Sequence, residues 1–184
     1  MKKLLFILFF LILSIKPVFA QEIIIPTQGI SPTPTEAPKL VYEFPYPGIL
    51  PGSPLYFFKV ARDKISEILI TDSEKKSRFF LLQSDKRFSS SEKLFKLGKN
   101  DLAEQTLSKG QNYLENSIDE VIKAKKSGEN MQEVLSRIQL STRKQEEEIK
   151  GIENGLGEKN GKLLEISLQR ATELKNRANK IQPN

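Results

Sequence analysis

The chain has 184 residues, carries 29 basic and 23 acidic side chains for a formal net charge of +6, and contains no cysteine, histidine or tryptophan. Without cysteine there are no disulfides, no thiolate nucleophiles and no thiolate-bound zinc or iron–sulfur centres. Without histidine the usual general base and transition-metal ligand is missing. Most catalytic arrangements are therefore unavailable, and what remains is paired carboxylates, a Ser–Lys dyad or a hard metal bound by oxygen. Because no motif in the chain completes one of these, we expect a non-enzymatic protein with no catalytic residues, no metal site and no cofactor.

The first twenty residues have the layout of a secretory signal peptide. Two lysines precede an unbroken apolar run, Leu4 to Ile15, and small or modest side chains follow. We predict cleavage between Ala20 and Gln21. The alternative is an uncleaved membrane anchor, although the apolar run is shorter than the roughly 20 residues that a spanning helix needs. We therefore expect an exported protein, periplasmic, cell-surface or secreted, or one held in a membrane by residues 1–20.

Export changes the charge balance of the chain. Removal of Lys2, Lys3 and Lys16 lowers the net charge from +6 to about +3. Basic and acidic residues are interleaved along the rest, as on an ordinary solvated surface. The basic balance therefore does not indicate nucleic-acid binding.

Residues 21–52 are predicted to be a proline-rich linker. Proline fixes φ and lacks a backbone donor, so this segment favours extended, polyproline-like geometry over a helix or a central strand. Its prolines stand at positions 26, 32, 34, 38, 45, 47 and 51.

From Ser53 onward the apolar residues recur at helical spacing. Ser53 is a good N-cap and Pro54 suits the first helical position, so the first helix is predicted to run to about Ile70. One face of this helix is apolar and is expected to pack across one end or side of a bundle. Its members are Leu55, Phe58, Ala61, Ile65 and Ile68.

The second helix is predicted over Ser73 to Leu97, with Asp72 or Ser73 as its cap and Gly98 as its C-terminal stop. Large side chains repeat every seven residues, and serines repeat beside them. This alternation favours the close approach of a neighbouring helix. The two series are Leu81, Phe88 and Phe95, and Ser77, Ser84 and Ser91.

The third helix is predicted to begin with Asn100 as its cap and to end at Gly128. Gly110 falls inside its apolar face, at a cost of about 1 kcal/mol relative to alanine. This glycine is therefore predicted to be a close-contact point between helices. The apolar face consists of Ala103, Leu107, Leu114, Ile118 and Val121.

Two further helices complete the pattern. The fourth begins after Asn130 and has a heptad-like apolar seam, which is polar at Thr142 and Gln145; such positions weaken packing and fix register. Glu146 to Glu148 is predicted to lie on the outer face, with Glu146 paired to Lys150. The last helix is predicted from about Asn160 to Ile181, with Leu164, Ala171, Leu174, Ala178 and Ile181 facing inward.

The predicted fold is all-α, an antiparallel up-and-down helical bundle of four to five helices over residues 53–182. Short links between helices of similar length force antiparallel neighbours.

The run from Tyr46 to Tyr56 resembles the entry motif of an uncharacterised bacterial family, domain of unknown function 5667. Its specific part is the Leu-Pro-x-Ser-Pro-Leu-Tyr sequence at residues 50–56. Ser77, Ser84 and the basic pair Lys86-Arg87 stand where the family pattern has a small-residue heptad and a basic pair. The resemblance, over residues 46–125, implies a helical, exported protein and adds little about activity.

Large side chains on the approach to the first helix form the one candidate site. Tyr46, Leu50, Leu55 and Tyr56 lie on a stiff proline-rich segment. They are interpreted as a lid over one end of the bundle or, alternatively, as an exposed docking surface, where aromatic side chains supply much of the binding energy.

Three functions remain open. The first is a non-catalytic cell-envelope scaffold or protein-interaction unit, with a protein partner in the envelope and a second copy of the chain as a further candidate. The second is a ligand-binding or sensory bundle with a pocket near Thr142 and Gln145. The third is a hydrolase that uses carboxylates alone. The S-x-x-K spacings at Ser73 and Ser90 are interpreted as coincidence, because the companion motifs of the penicillin-recognising enzymes are absent.

Overall fold

The computed structural model describes residues 42–156 and 158–182, with backbone alone at 158–163. The predicted signal peptide, its cleavage site at Ala20 and Gln21, and the linker up to residue 41 lie outside the described residues. Within the described part the backbone forms helices and no strand. The helices are α1 (Tyr56–Leu69), α2 (Ser73–Lys96), α3 (Asn100–Lys126), α4 (Gln132–Leu156) and α5 (Glu158–Lys180).

Helices α2 to α5 form the bundle. The closest pairs are α2 with α3 and α4 with α5, and α3 with α5 and α2 with α4 close the ring. Short connections make the consecutive helices antiparallel. The all-α helical bundle predicted from the sequence is therefore confirmed.

Glycine turns end α2 and α3 in the same way. Gly98 and Gly128 have φ of +72° and +83°, the left-handed conformation that glycine adopts without a steric penalty. The amide after each glycine bonds back into the last helical turn, from Lys99 to Leu94 O and from Glu129 to Ala124 O, both at 3.0 Å. These caps satisfy carbonyls that a helix end otherwise leaves unpaired.

The helix starts agree only in part with the predicted caps. The Asp72 carboxylate accepts a 2.8 Å bond from the Lys75 amide, and Asn130 Oδ1 accepts one from Gln132 at 3.1 Å, as expected. The predictions for Ser53 and Asn100 are wrong. A turn over residues 51–55 delays α1 until Tyr56, and Asn100 already lies inside α3, with its Oδ1 buried and without a partner among the described residues.

The predicted core positions of the bundle helices are buried. They form two apolar clusters, one around Phe88, Leu107 and Ile149 and the other around Leu114, Ile118 and Ile138. Each of these six side chains is at most 1% exposed.

The apolar face of α1 contradicts the sequence expectation. Phe58, Ile65 and Ile68 are 68%, 60% and 72% exposed, so they do not pack against the bundle. The buried residue of this helix is instead Asp63. Helical periodicity identified the apolar face correctly, but it does not show whether that face is oriented toward the bundle or toward solvent.

Candidate functional site

The segment that leads into α1 is packed on the bundle. The Phe44 ring lies 4.5 Å from the Phe88 ring between centroids, and Ser89 Oγ donates a 2.8 Å hydrogen bond to Pro45 O. Pro47 and Pro51 are buried. The end of the predicted linker, residues 42–52, therefore contacts α2 before the first helix begins.

Two glycines shape the turn between this segment and α1. Gly48 and Gly52 have φ of +70° and +89°. A β-carbon added at Gly52 would lie 3.3 Å from Leu102 Cδ2, so the backbone approaches α3 closely here. Lys59 Nζ donates a 3.0 Å bond back to Pro47 O, which fixes the first turn of α1 against the loop.

The four residues of the predicted lid or docking site have different surroundings. Tyr46 and Leu55 are 75% and 59% exposed, whereas Leu50 and Tyr56 are partly buried. The Tyr46 ring lies 5.4 Å from Lys93 Nζ, and the Tyr56 ring lies 5.6 Å from Lys59 Nζ. Tyr46 and Leu55 are therefore oriented toward solvent, whereas Leu50 and Tyr56 are partly covered.

Helix α1 directs polar side chains toward the bundle. Tyr56 and Lys59 are partly buried, and Asp63 is 5% exposed. Burial raises the pKa of Tyr56, and the charge of Arg87 opposes this increase. Burial also lowers the pKa of Lys59, and Arg87 adds to that effect. The charge of Arg87 on α2 therefore acts on both of these α1 side chains.

The contact beneath α1 is incompletely hydrogen-bonded. Asp63 Oδ2 and Arg87 Nε are buried and have no partner among the described residues. Arg87 stacks on Tyr113 of α3, with its guanidinium carbon 4.6 Å from the ring centroid. Because unpaired buried polar atoms are unfavourable, this contact stabilises α1 less than a fully hydrogen-bonded one would.

A basic pocket opens where the loop meets α1. It has a volume of about 490 Å³, and Lys59, Arg62 and Lys86 contribute its charged groups. Leu55 and Phe58 form part of its apolar wall. No acidic residue belongs to its described lining, so the pocket favours an anionic group with an apolar neighbour.

A polar layer separates the two apolar clusters of the bundle core. Asp85 of α2 accepts hydrogen bonds from Tyr42 Oη and, at 2.6 Å, from Ser141 Oγ of α4. Gln145 Nε2 donates to Ser141 Oγ and to Ser84 Oγ, each at 3.1 Å. On the far side, Gln111 Nε2 of α3 donates a 2.6 Å bond to Ser167 O of α5.

The electrostatics of this layer follow from burial. Burial raises the pKa of Asp85, while hydrogen bonds from Ser141 and Tyr42 partly oppose the shift. Burial likewise raises the pKa of Tyr42, and the charge of Asp85 adds to it. The Tyr42–Asp85 pair therefore carries a proton and at most one negative charge over the ordinary pH range.

The polar seam of α4 is filled by this network. Thr142 and Gln145 are each 1% exposed, and Thr142 Oγ1 donates to Gln139 O at 2.9 Å. An open cleft of about 640 Å³ lies instead at the outer end of the layer. Tyr42, Asp85, Arg78 and Arg137 line it together with apolar side chains of α2 and α4.

The prediction that Glu146 to Glu148 all lie on the outer face of α4 is wrong for Glu146. This residue is 8% exposed and pairs with Lys175 of α5 at 2.5 Å as well as with Lys150 at 3.1 Å. Thr172 Oγ1 donates a further 3.0 Å bond. Burial alone would raise the pKa of Glu146, but these hydrogen bonds outweigh it and lower the pKa to about 2.

Ser90, at one of the two S-x-x-K spacings, bonds within its own helix. Its hydroxyl donates a 2.7 Å bond to Lys86 O. Across the described part of the chain, no three acidic side chains are grouped so that they could hold a metal ion. Among the same residues, no helix has the length and apolar character required to cross a membrane.

Comparison with protein families gives one result. A family model described as Domain of unknown function (DUF5667) matches residues 48–159, which is more than half of the chain. The chain belongs to this family. The DUF5667 match begins at Gly48 in the turn before α1, covers α1 to α4, and ends at the start of α5. No curated protein and no solved structure matches the chain.

The DUF5667 region contains the three basic residues of the pocket, the exposed face of α1 and most of the polar layer, whereas Tyr42, Tyr46, Pro47 and Ser167 lie outside it. The sequence analysis missed Asp85, Ser141 and Tyr42. An aspartate one position from Ser84 and three before Phe88 is a detectable signal, because it places a carboxylate beside a core face. Nothing at Tyr42 indicates a partner 43 residues away.

Proposed function

We propose that this DUF5667 protein is an exported, non-catalytic helical module that serves as a scaffold in the cell envelope and attaches there through α1. The observation that carries the proposal is the orientation of α1, whose apolar face is turned away from the bundle. Phe57, Phe58 and Leu69 are 72%, 68% and 74% exposed. Exposed apolar patches of this kind mark interaction sites.

The bundle is well suited to carry such a helix. Its four helices have a buried core and a hydrogen-bonded polar layer, so the support is rigid. Helix α1 is joined to it through the packed segment 42–52 and through the contact at Asp63. A firm body that presents one exposed helix is the architecture expected of a scaffold.

Fractionation of the native cell tests the proposal. Intact-mass measurement of the exported form is expected to show loss of residues 1–20. This form should sediment with the envelope, and the triple variant Phe58→Ser, Ile65→Ser, Ile68→Ser should move to the soluble exported fraction. The matched control is Ile166→Ser, because Ile166 of α5 is also 75% exposed. Retention of the wild-type chain in the cytoplasm, or envelope binding by the triple variant, contradicts the proposal.

A second candidate is a ligand-binding bundle, favoured by the cleft beside Tyr42 and Asp85. Two arginines, Arg78 and Arg137, line that cleft together with Glu43 and Asp85. Arg78 is already paired with Glu74 and Glu133, so Arg137 is the arginine that we expect to bind an anion. Malonate, a small dianion, is a suitable probe. A rise in melting temperature with malonate that Arg137→Gln abolishes would support this function, and no rise would count against it.

A further inference from the structure

The exposed face of α1 is a continuous apolar band. At 100° per residue, the five large members that lie within α1 fall within an arc of about 120°. This is the width of the apolar stripe of an ordinary surface helix, but in this helix the stripe faces outward. The largest members are Leu55, Phe57, Phe58, Ile65, Ile68 and Leu69, each at least 59% exposed.

Basic residues lie at both edges of this band. Arg62 and Lys64 border the arc on opposite sides, and their side chains are 67% and 63% exposed. Arg62 pairs with Asp63 at 2.7 Å and Lys64 pairs with Glu67 at 3.0 Å, but the carboxylate side chains are only 6% and 20% exposed. A surface that approaches α1 from outside therefore meets apolar groups flanked by the cationic ends of these two ion pairs.

The basic pocket adjoins the same band. Its wall includes Leu55 and Phe58 of the band, and its cations are Lys59, Arg62 and Lys86. Lys59 donates to the carbonyls of Pro47 and Ile49, so it has no carboxylate partner among the described residues. The pocket therefore places positive charge directly beside the end of the apolar band that contains Leu55 and Phe58.

We propose that α1 lies in the interface of an anionic lipid bilayer, with its apolar band at the acyl boundary and the basic pocket against a lipid phosphate. This inference rests on the proposed function and names the envelope component that α1 contacts. An amphipathic helix with large apolar side chains and a basic border has the chemistry of an interfacial helix. Basic residues next to the surface add attraction to anionic lipids.

The arrangement fits a bilayer better than a second copy of the chain. Two α1 helices packed face to face would bring the Arg62 and Lys64 borders against their own equivalents, and like charges at such spacing are repulsive. A bilayer with anionic headgroups provides negative charge for the basic residues at both edges of the band and an apolar acyl region for the side chains between them. The sequence alone predicts membrane contact only through residues 1–20, and α1 would be a second membrane-binding segment.

Vesicle co-sedimentation tests the inference. All described residues belong to the compact unit 40–184, so a chain that begins at Gln21 keeps that unit and lacks the apolar run of residues 4–15. We expect this chain to bind vesicles of phosphatidylcholine with 30% phosphatidylglycerol and to bind pure phosphatidylcholine vesicles far more weakly. High salt should weaken the binding, because exposed charges are screened.

Two variants separate the apolar and the basic contributions. Phe58→Ser, Ile65→Ser, Ile68→Ser should lower the binding constant at least about 100-fold, since three large apolar side chains no longer insert. Arg62→Gln, Lys64→Gln should lower it about fivefold for each charge removed.

Matched controls are Ile166→Ser for the apolar change and Lys123→Gln, Lys126→Gln for the charges, and both should bind as the wild type does. All five substituted positions of the two test variants are exposed, so circular dichroism should stay unchanged in them. The melting temperature should stay unchanged in the triple apolar variant, whereas the charge variant loses the ion pairs to Asp63 and Glu67 and is compared with the wild type well below its own melting transition.

Three outcomes overturn the inference. The first is absence of wild-type binding to the anionic vesicles. If envelope association in the cell still depends on α1, the proposed function survives and the partner is a protein. The second is equal loss of binding in the Ile166→Ser control. The third is a wild-type dimer that the triple variant converts to a monomer, which would assign the face to a second copy.

Discussion

Gly110 of α3 faces Arg87 of α2 so closely that a β-carbon added to the glycine would lie 3.2 Å from the β-carbon of the arginine. The Ser84 carbonyl oxygen of α2 would be 3.3 Å away. This is the close-contact point predicted from the sequence. Further along the same pair of helices, Ser77 Oγ donates to Ser117 O at 2.9 Å and Ser117 Oγ donates to Ser77 O at 2.8 Å.

Gly110→Ala is expected to destabilise the bundle. Alanine favours a helix over glycine by about 1 kcal/mol, but overpacking of a close contact costs about 1 to 3 kcal/mol. The net effect should be a lower free energy of unfolding in urea. Gly151→Ala in α4 is the matched control, because no atom lies within 4 Å of its added β-carbon, and it should be stabilising. Stabilisation by both changes would contradict the close contact.

Asp85→Asn should change how stability depends on pH. The folded-state pKa of Asp85 is raised by burial, so between the unfolded and folded values the folded chain binds more protons than the unfolded chain. Stability from this group is therefore lost as pH rises through that window. The melting temperature of the wild type should fall relative to Asp85→Asn as pH increases from about 4.

The comparison needs a control that removes a carboxylate without removing a buried charge. Asp101→Asn, at the exposed start of α3, serves this purpose. It should not reproduce the relative fall. A constant offset between the wild type and Asp85→Asn at every pH would reject the buried carboxylate as its source.

Glu146→Gln should show the opposite pH dependence. Hydrogen bonds from Lys175, Lys150 and Thr172 lower the pKa of Glu146 to about 2, so its stabilisation is complete above the unfolded value and is lost as pH falls toward 2. At pH 7 we expect the variant to lose about 2 kcal/mol of unfolding free energy. Glu147→Gln, whose side chain is 72% exposed, should have little effect. A deficit that persists undiminished at pH 2 would refute the assignment.

Tyr42→Phe should loosen the segment before α1. The substitution removes the hydroxyl that donates to Asp85 and leaves Ser141 as the other hydroxyl donor to that carboxylate. We expect a loss of about 1 to 3 kcal/mol, measured by urea unfolding, together with faster proteolysis within residues 42–52. Tyr46→Phe is the matched control, because Tyr46 is 75% exposed and should tolerate the change. Equal effects of the two variants would argue against the Asp85 contact.

The bundle could be predicted because its signals are local. Helical spacing of Leu107, Leu114 and Ile118 identifies a buried face without knowledge of the partner helix, and Gly98 and Gly128 mark helix ends by conformation alone. Helix α1 shows the limit of this reasoning. Its apolar spacing is as regular as that of α3, but periodicity does not distinguish a face covered by neighbours from one turned outward.

The hydrogen bonds of the polar layer could not be predicted from local sequence patterns, and the reason is different. The partners of Asp85 are Tyr42 and Ser141, which are 43 and 56 residues away in sequence. Their pairing depends on the register of three separate segments, which no single helix encodes. Glu146 is a similar case, because it belongs to a run of three glutamates of which Glu147 is exposed, and the partner that covers Glu146 is Lys175 of α5.

The attachment of Tyr42 and Phe44 to the middle of α2 also decides where mechanical tension enters the protein. A pull on the chain from before Tyr42 acts first on the Tyr42–Asp85 hydrogen bond and on the contact between Phe44 and Phe88. The load then passes into the core of the bundle and bypasses α1. Helix α1 thus lies outside the path of a load that is applied before Tyr42.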